Sequence, residues 1–297
     1  MRVIEKVFRL TGKGVLASAE AARKEYLHRE YPAPAPVPRG LRKACEVREE
    51  QIHGNQVFTL TPRESASGLH VLYTHGGGYV HPLMTLHWSI IRKLIESTGA
   101  TVTAPIYPLA PEHTWAEAYS LLEEVYRRII GSASPLQVIL CGDSAGGGLA
   151  LGQAILYRDK GLPLPGRIML FSPWLDITMS NPSAAATEKE DVILTAAALT
   201  AMGRMWAGED DRRSPLLSPI FGDLSGLPPI DVFQGTHDIF IGDARLLARK
   251  VKAAGGEIDL HEYPGAFHVF VAAIFTPEAR DAFQSIAQTA AARTLHR

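Results

Sequence analysis

A serine flanked by glycines is the first feature of the sequence that could do chemistry. The stretch Gly142-Asp-Ser-Ala-Gly146 fits the pattern G-x-S-x-G, with an apolar run before it and helical sequence after it. Between a strand and a helix, this pattern holds a nucleophilic serine on a strained turn, and the helix start directs N–H groups at the reacting oxygen. Such a short pattern also occurs by chance in tight turns. Taken alone, it indicates either a nucleophile or a structural turn at Ser144.

A glycine-rich loop stands upstream of this serine. The stretch Thr74-His-Gly-Gly-Gly-Tyr79 follows a predicted strand at Leu69–Thr74. Consecutive glycines let the backbone approach a ligand closely and present N–H groups to a developing oxyanion. A phosphate-binding loop is the rival interpretation, but neither a Lys-Ser/Thr ending nor a GxGxxG arrangement follows Gly78. Both motifs together, each after its own strand, favour acyl-transfer chemistry at Ser144.

A serine hydroxyl is a weak nucleophile and needs a base, which in turn needs an orienting acid. With a serine on such a turn, the expected chain order is serine, acid, histidine. Four histidines follow the serine: His237, His261, His268 and His296. We predict that His268 is the base, because it lies on a loop just beyond the last predicted strand. His261 falls within that strand, and His296 is at the terminus.

The acid candidate is Asp238, at the end of the predicted strand Ile230–Gln234. Catalytic groups of open α/β sheets gather at the carboxyl ends of strands. Asp243 is the runner-up, but its position indicates the first turn of a helix, where acidic residues are common. Asp143 adjoins the serine, and a hydrogen-bonding role in the turn suits it better than acid–base work.

These side chains must be positioned by alternating strands and helices. Eight runs are predicted as strands: Ala44–Arg48, Gln56–Thr61, Leu69–Thr74, Thr101–Ile106, Gln137–Cys141, Arg167–Phe171, Ile230–Gln234 and Glu257–Tyr263. Five amphipathic runs are predicted as helices: His87–Ser97, Trp115–Ile130, Gly147–Asp159, Gly242–Ala254 and Pro277–Arg293. Short apolar strands alternating with longer helices predict an α/β fold, with a mostly parallel sheet covered on both faces.

Two regions fall outside this alternation. Tyr31–Pro38 alternates proline with small residues, which is typical of a semi-rigid linker, and it separates off an N-terminal segment. In that segment Val3, Ile4, Val7 and Phe8 recur at helical spacing between basic residues, and we expect this helix to cover a groove of the protein rather than a membrane. The second region, about Asp176 to Ser214, is helical sequence of a length that favours a lid or cap.

The composition excludes several classes of function. Thirty basic and 31 acidic residues give a net charge of −1, without the basic excess of a nucleic-acid-binding protein. No apolar run is long enough for a signal peptide or a membrane span, so a cytoplasmic location is expected by default. The two cysteines, Cys45 and Cys141, form no disulfide framework or zinc-binding pattern, and Cys141 is predicted to be a reduced thiol in the core.

In these motifs the sequence resembles the hormone-sensitive-lipase branch of the α/β-hydrolases. The members of this branch that it resembles are bacterial carboxylesterases with an HGGG loop and a GDSAGG turn. The likeness runs from about Leu69 over most of the chain. It includes Pro105–His113, which is similar to the family's YRLAPEH segment with Pro108 in place of the usual arginine. It also includes Ser172–Asp176, Leu216–Pro219, Leu227–Pro229 and Gly235–Asp238. The chain departs from the family after the aspartate, where Ile239 stands instead of the more usual proline or glutamate.

The resemblance implies a triad of Ser144, Asp238 and His268, with an oxyanion hole formed by the N–H groups of Gly77, Gly78 and Ala145. It also implies three parts of the chain. Residues 1–42 would be an N-terminal cap segment and linker, 43–175 and 215–297 an α/β-hydrolase core with about eight strands, and 176–214 an inserted cap. A homodimer is consistent with the family.

We expect a serine carboxylesterase that acts on short- to medium-chain esters and needs no metal or organic cofactor. Amides, formamides or thioesters could be cleaved by the same groups, and a catalytically silent protein that binds a small ligand is the alternative from another class. Side chains that could line the substrate pocket are Tyr79, Met202, Met205 and Trp206. The helical spacing of the last three fits plain core packing equally well.

Overall fold

The computed structural model describes residues 18–20, 24–25, 30–31 and 33–294. Eight strands form one sheet in the spatial order β1-β2-β4-β3-β5-β6-β7-β8. The strands are β1 (Cys45–Ile52), β2 (Asn55–Pro62), β3 (His70–Thr74), β4 (Thr101–Pro105), β5 (Val138–Asp143), β6 (Arg167–Phe171), β7 (Ile230–Gly235) and β8 (Ile258–Tyr263). β1 and β2 are antiparallel, and β3 to β8 run parallel. The predicted α/β fold with a mostly parallel sheet is confirmed.

Helices connect the parallel strands and cover both faces of the sheet. They are α1 (Arg39–Ala44), α2 (Thr85–Thr98), α3 (Trp115–Ile130), α4 (Ala145–Asp159), α5 (Ser183–Thr187), α6 (Ala196–Ala207), α7 (Ile241–Ala253) and α8 (Pro277–Thr294). Every residue of β5 and of β7 is buried, as expected for central strands of a sheet with helices on both faces. Alternate side chains of β5 enter two separate cores: Leu140 joins one apolar cluster, and Ile139 and Cys141 join the other.

The pairing register brings the ends of neighbouring strands together at one edge of the sheet. Thr74 at the end of β3 pairs with Gly142 of β5, and Asp143 pairs with Phe171 at the end of β6. Phe171 in turn pairs with Phe233 of β7. Since these strands are parallel, the loops that follow them all leave from the same edge, where the glycine loop, Ser144 and Asp238 begin.

The segment 176–214 contains two helices, α5 and α6, in place of an immediate return to the sheet. α6 begins after Thr195, whose hydroxyl accepts a hydrogen bond from the N–H of Ala198, a side-chain cap that satisfies one of the free donors of the first turn. The helical character predicted for this segment therefore agrees with the structure. Assignment of the segment as a cap stays a prediction.

The N-terminal parts of the chain are described only in places. The helix predicted around Val3 to Phe8 lies outside the described residues. In the proline-rich stretch, Ala35 donates its N–H to the carbonyl of Leu83 and accepts from the indole N–H of Trp88, at 2.8 and 2.9 Å.

Both cysteines are buried free thiols, which confirms the core position predicted for Cys141. In the described part of the chain, no helix has the length and apolarity needed to cross a membrane.

Candidate active site

Ser144 stands on a sharp turn between β5 and α4. Its backbone has φ 52° and ψ −121°, a conformation that non-glycine residues rarely adopt. The turn is held from the neighbouring strand, because the N–H of Ser144 donates to the carbonyl of Phe171 at 2.9 Å. The helix begins at Ala145, two residues earlier than predicted, since the chain turns into α4 directly from Ser144.

The glycines beside Ser144 are required by close backbone packing. A Cβ on Gly146 would overlap the carbonyl oxygens of Thr74 and His75. The Thr74 hydroxyl also donates to the carbonyl of Gly146 at 2.7 Å, so the first turn of α4 lies directly against the end of β3. A larger side chain at position 146 would separate the Ser144 turn from the glycine loop.

The predicted partners of Ser144 lie in one hydrogen-bonded row. Nδ1 of His268 is 2.9 Å from Oδ2 of Asp238, and Nε2 of His268 is 2.9 Å from Oγ of Ser144. An ionised carboxylate can only accept, so Nδ1–H donates to Asp238 and Nε2 is left to accept the proton of the serine hydroxyl. Asp238 also accepts the N–H of Phe240 at 3.0 Å. The serine is therefore next to an imidazole in the tautomer that a base requires.

The charge state of His268 depends on opposing effects. Burial lowers the pKa of the imidazole, but the Asp238 carboxylate raises it through its charge and its hydrogen bond, and Asp191 and Asp143 raise it further. The net result is that the pKa of His268 lies above its ordinary value. The environment thus favours the protonated imidazole, the state that a proton transfer from Ser144 would produce.

The loop that carries His268 is held to the end of β6. Val269 has φ 51°, an unusual value for a β-branched residue, and its N–H donates to the Ser172 hydroxyl at 3.0 Å. The N–H of Ser172 in turn donates to the carbonyl of Phe233 in β7, also at 3.0 Å. The sequence carries no signal for this contact of Ser172, because its partner is 97 residues further along the chain.

The glycine loop forms a tight turn after β3. The carbonyl of Gly77 accepts the N–H groups of Val80 and His81, at 3.1 and 2.9 Å. Gly78, at φ 64°, adopts a conformation that a side chain would strain. The N–H groups of Gly77 and Gly78 take no part in these turn bonds, and the N–H of Ala145, in the first turn of α4, has no intrahelical acceptor. Gly77, Gly78 and Ser144 line the same cavity.

Asp143 fixes the glycine loop to the end of β5. Its Oδ1 accepts the hydroxyl of Tyr73 at 2.5 Å and the N–H of Gly76 at 3.0 Å, and its Oδ2 is 3.5 Å from Nε2 of His87. Burial raises the pKa of this carboxyl, but the charge and contact of His87 and the Tyr73 hydrogen bond lower it more, so the pKa lies below its ordinary value. This agrees with the hydrogen-bonding role expected for Asp143. Tyr73 and His87 were not anticipated as its partners.

A cavity of about 500 Å³ lies over Ser144 and His268. Its walls are mainly apolar and include Ile193, Leu194 and Met202 from segment 176–214. Two exposed apolar side chains, Leu86 and Phe275, also line it. The volume is within the range of small-molecule sites. An apolar acyl or alcohol group can therefore be buried beside the serine.

Of the four pocket candidates, Met202 lines this cavity, and the other three pack into the core. The rings of Tyr79 and Trp206 stack at a centroid distance of 4.5 Å, with both side chains buried. Met205 is partly buried against the same core. For Met205 and Trp206 the core-packing alternative therefore applies. The stack turns the Tyr79 ring toward Trp206, so Tyr79 does not reach the cavity, although it directly follows the glycine loop.

The remaining acid and histidine candidates lie elsewhere. Asp243 is in the first turn of α7, as expected, and accepts from the side-chain amide of Asn181 at 2.7 Å. His261 is in β8, stacked on Phe233 at 4.6 Å. The N–H of His237 donates to the carbonyl of Ala266, so this residue helps to close the loop before Asp238. His296 lies outside the described residues.

Comparisons with known proteins agree with this architecture. A family model described as alpha/beta hydrolase fold matches residues 71–272. An acetyl-hydrolase of Streptomyces hygroscopicus is 34% identical over 204 residues, covering 68% of each chain. An esterase of Acinetobacter venetianus is 29% identical over 248 residues, covering 82% of each. The crystal structure of a hormone-sensitive lipase from a metagenome library superposes with a TM-score of 0.83 at 26% identity, covering 98% of both chains.

Proposed function

The chain belongs to the α/β-hydrolase family, in its hormone-sensitive-lipase-like branch, and is a carboxylic ester hydrolase; we propose that Ser144 is its nucleophile. The observation that carries this proposal is the continuous hydrogen-bonded path from Ser144 through His268 to Asp238 at the base of an apolar cavity. In this path each group has the partner that its role requires: a base for the hydroxyl, and an acid for the base.

In the first half of the reaction, Oγ of Ser144 attacks the carbonyl carbon of the ester while its proton moves to Nε2 of His268. The carbonyl π electrons move to oxygen, which becomes the oxyanion of a tetrahedral intermediate. His268 then gives its proton to the leaving alkoxide, the bond from carbon to that oxygen breaks, and an acyl-enzyme with an alcohol product results. Asp238 keeps the imidazole oriented and stabilises its charged form.

The oxyanion would be bound by the N–H groups of Gly77, Gly78 and Ala145. Support comes from the turn geometry at Gly77 and Gly78 and from the free donor at the start of α4. Fixed N–H dipoles stabilise the developing charge without reorganising during the reaction, and one such donor is typically worth about 10²–10³ in kcat.

Water completes the reaction. His268 takes a proton from a water molecule, which attacks the acyl carbon, and the second tetrahedral intermediate releases the carboxylic acid as Ser144 recovers its proton from His268. No residue other than those of the first half is needed.

We further propose that residues 176–214 form a cap over the site and set the acyl length. Met202 packs on the glycine loop so closely that a Cβ on Gly78 would lie 2.7 Å from its Sδ. Met202 also lines the cavity, so it forms the wall beside the glycine loop. We infer that this wall limits the acyl chain to a short or medium length, the preference predicted from the sequence.

The test is a hydrolysis screen with p-nitrophenyl esters from acetate to palmitate, with Ser144→Ala as the blank and a fluorophosphonate as the active-site label. We expect the rate to be highest at a short or medium chain and to fall by roughly 10⁴-fold or more in Ser144→Ala. Absence of labelling at Ser144 in the wild-type protein would overturn its role as nucleophile. A steady increase of the rate toward palmitate would contradict the proposed length preference.

The esterase relatives indicate a small-molecule ester as substrate. A homodimer and a cytoplasmic location stay predictions of the sequence. Analytical ultracentrifugation of the full chain tests the first of them.

A further inference from the structure

A second buried carboxylate lies beside the one that contacts His268. Asp191 belongs to the inserted segment and is only 2% exposed. Its Oδ1 accepts the N–H groups of Ile193 and Leu194, both at 2.8 Å, and its Oδ2 accepts the N–H of Ile239 at 2.9 Å. The segment 191–194 and the loop that follows β7 are thus joined through one side chain.

The three partners of Asp191 are all backbone N–H donors. A protonated carboxyl would need an acceptor for its proton, whereas a carboxylate matches three donors directly. Burial raises the pKa of Asp191 most strongly and the nearby charge of Asp238 raises it further, while His268 and the N–H groups of Leu194 and Ile239 lower it; the net result is a pKa above the ordinary value. The N–H donors oppose this increase because each of them matches the ionised form.

The hydrogen bond from Ile239 to Asp191 lies directly beside the carboxylate that contacts His268. Ile239 directly follows Asp238, and the next residue, Phe240, donates its N–H to Asp238 itself. The loop is therefore fixed by two carboxylates: Asp191 accepts from Ile239 across the fold, and Asp238 accepts from Phe240 within the loop. On the other side of the link, Ile193 and Leu194 line the cavity over Ser144.

We propose that Asp191 is a positioning residue for the reaction: it holds the Asp238 loop in place and supplies a second negative charge that stabilises protonated His268. The proposal rests on the proposed function, since it assigns Asp191 a role through the base and the acid of that mechanism. It also makes the inserted segment part of the charge environment of the site, in addition to being a wall of the cavity.

The charged groups that surround His268 come from three elements. Asp238 from the loop after β7 is in direct contact, Asp191 comes from the inserted segment, and Asp143 comes from the end of β5. Ser144 is a further polar contact, and Phe240 lies edge-on to the imidazole with 5.3 Å between the ring centroids. Loss of the Asp191 charge should therefore lower the pKa of His268, with Asp238 and Asp143 left in place.

The experiment compares Asp191→Asn with the wild-type protein. Asparagine preserves the shape and can still accept from Ile193 and Leu194, but its NH₂ group faces the N–H of Ile239 and the charge is lost. We expect kcat to fall about 10- to 100-fold, because a shifted acid loop misplaces the base. We also expect the acid limb of the kcat/KM profile to move to lower pH by about half a pH unit or more.

The matched control is Asp243→Asn, which removes another buried carboxylate close to the same loop while keeping an acceptor for Asn181. This variant should leave the acid limb and kcat close to those of the wild type. If both variants have the same acid limb as the wild type, Asp191 does not act on His268 and the proposal is wrong. If Asp191→Asn does not fold, as judged by circular dichroism, the substitution is repeated in the Asp243→Asn background, and Asp243→Asn is then the reference protein. This background is expected to be more stable, because it removes a buried carboxyl whose pKa is raised to about 6.

A readout that does not depend on turnover separates this proposal from the proposed function. The pKa of His268 is followed by NMR of its imidazole in each protein, and it should be lower in Asp191→Asn. An unchanged imidazole pKa in an active esterase overturns the role of Asp191 and leaves the function intact. A wild-type protein that is not labelled at Ser144 overturns both.

Discussion

Asp243 provides a test of how burial controls charge near the site. Only 4% of this residue is exposed, and burial raises the pKa of its carboxyl from 3.8 to about 6, with the charge of Asp176 adding to the increase and the Asn181 hydrogen bond opposing it. Because the folded pKa lies above the unfolded one, the stabilising contribution of this group is complete below about pH 4 and is lost as the pH rises through 6. At about 1.4 kcal/mol for each pKa unit, keeping the ionised form buried costs about 3 kcal/mol at pH 8.

We therefore expect Asp243→Asn to raise the free energy of unfolding at pH 8 by about 1–3 kcal/mol, since asparagine is neutral and still accepts from Asn181. The gain should be much smaller at pH 4.5, where Asp243 is already protonated in the folded protein. Urea denaturation at both pH values measures it. Asp223→Asn, at an exposed acid, is the control and should give no such gain. A loss of stability at pH 8, or an equal gain at both pH values, would refute the reasoning.

Three further substitutions test the site. In Asp238→Asn the carboxylate that fixes the tautomer of His268 is lost, so kcat should fall by roughly 10³–10⁴-fold with little change in KM, as measured on a p-nitrophenyl ester. In Ser172→Ala the N–H of Val269 loses its acceptor, and we expect fluorophosphonate labelling to slow by about tenfold or more; unchanged labelling would show that this bond does not position the base. In Met202→Ala the wall beside the glycine loop recedes, which should shift the preferred p-nitrophenyl ester to a longer acyl chain and lower the stability by about 2–5 kcal/mol; an unchanged chain-length profile would exclude Met202 as the limit.

The parts of the fold that the sequence predicts are those encoded locally. The apolar run of β6 is bounded as expected, at Arg167–Phe171, because burial on both faces requires continuous apolar residues. α3 likewise matches the predicted Trp115–Ile130, since its buried face repeats at helical spacing. β5 runs two residues beyond its predicted end to Asp143, because Gly142 and Asp143 continue the pairing with β6 even though neither has high strand propensity.

The supporting contacts of the site could not be predicted in the same way. Asp191 and Ile239 are 48 residues apart, and Tyr73 and Asp143 are 70 apart. Periodicity records which face of an element is buried but not which distant residue lies opposite. The triad candidates can be predicted from the sequence because a motif and the chain order identify them. A lone aspartate in the inserted segment, such as Asp191, belongs to no such pattern.

Three strained residues of the site are held by contacts at the end of β6. Ser144, Ser172 and Val269 are non-glycine residues with φ values of 52°, 47° and 51°. Each such conformation costs of order 1–3 kcal/mol, so it persists only where neighbouring contacts fix it. Two of the three residues hydrogen-bond directly, Val269 to Ser172, while Ser144 is held by Phe171, which directly precedes Ser172.

The end of β6 is consequently the common support of Ser144 and His268, the proposed nucleophile and base. β6 lies between β5, which leads into Ser144, and β7, which leads into Asp238. Its last residue holds Ser144, and the next residue holds the loop of His268. The register of three parallel strands fixes these positions. The strained conformations are therefore held by hydrogen bonds to the end of a central strand, and not only by contacts within a loop. This explains how a serine and a histidine 124 residues apart in the chain are held at 2.9 Å.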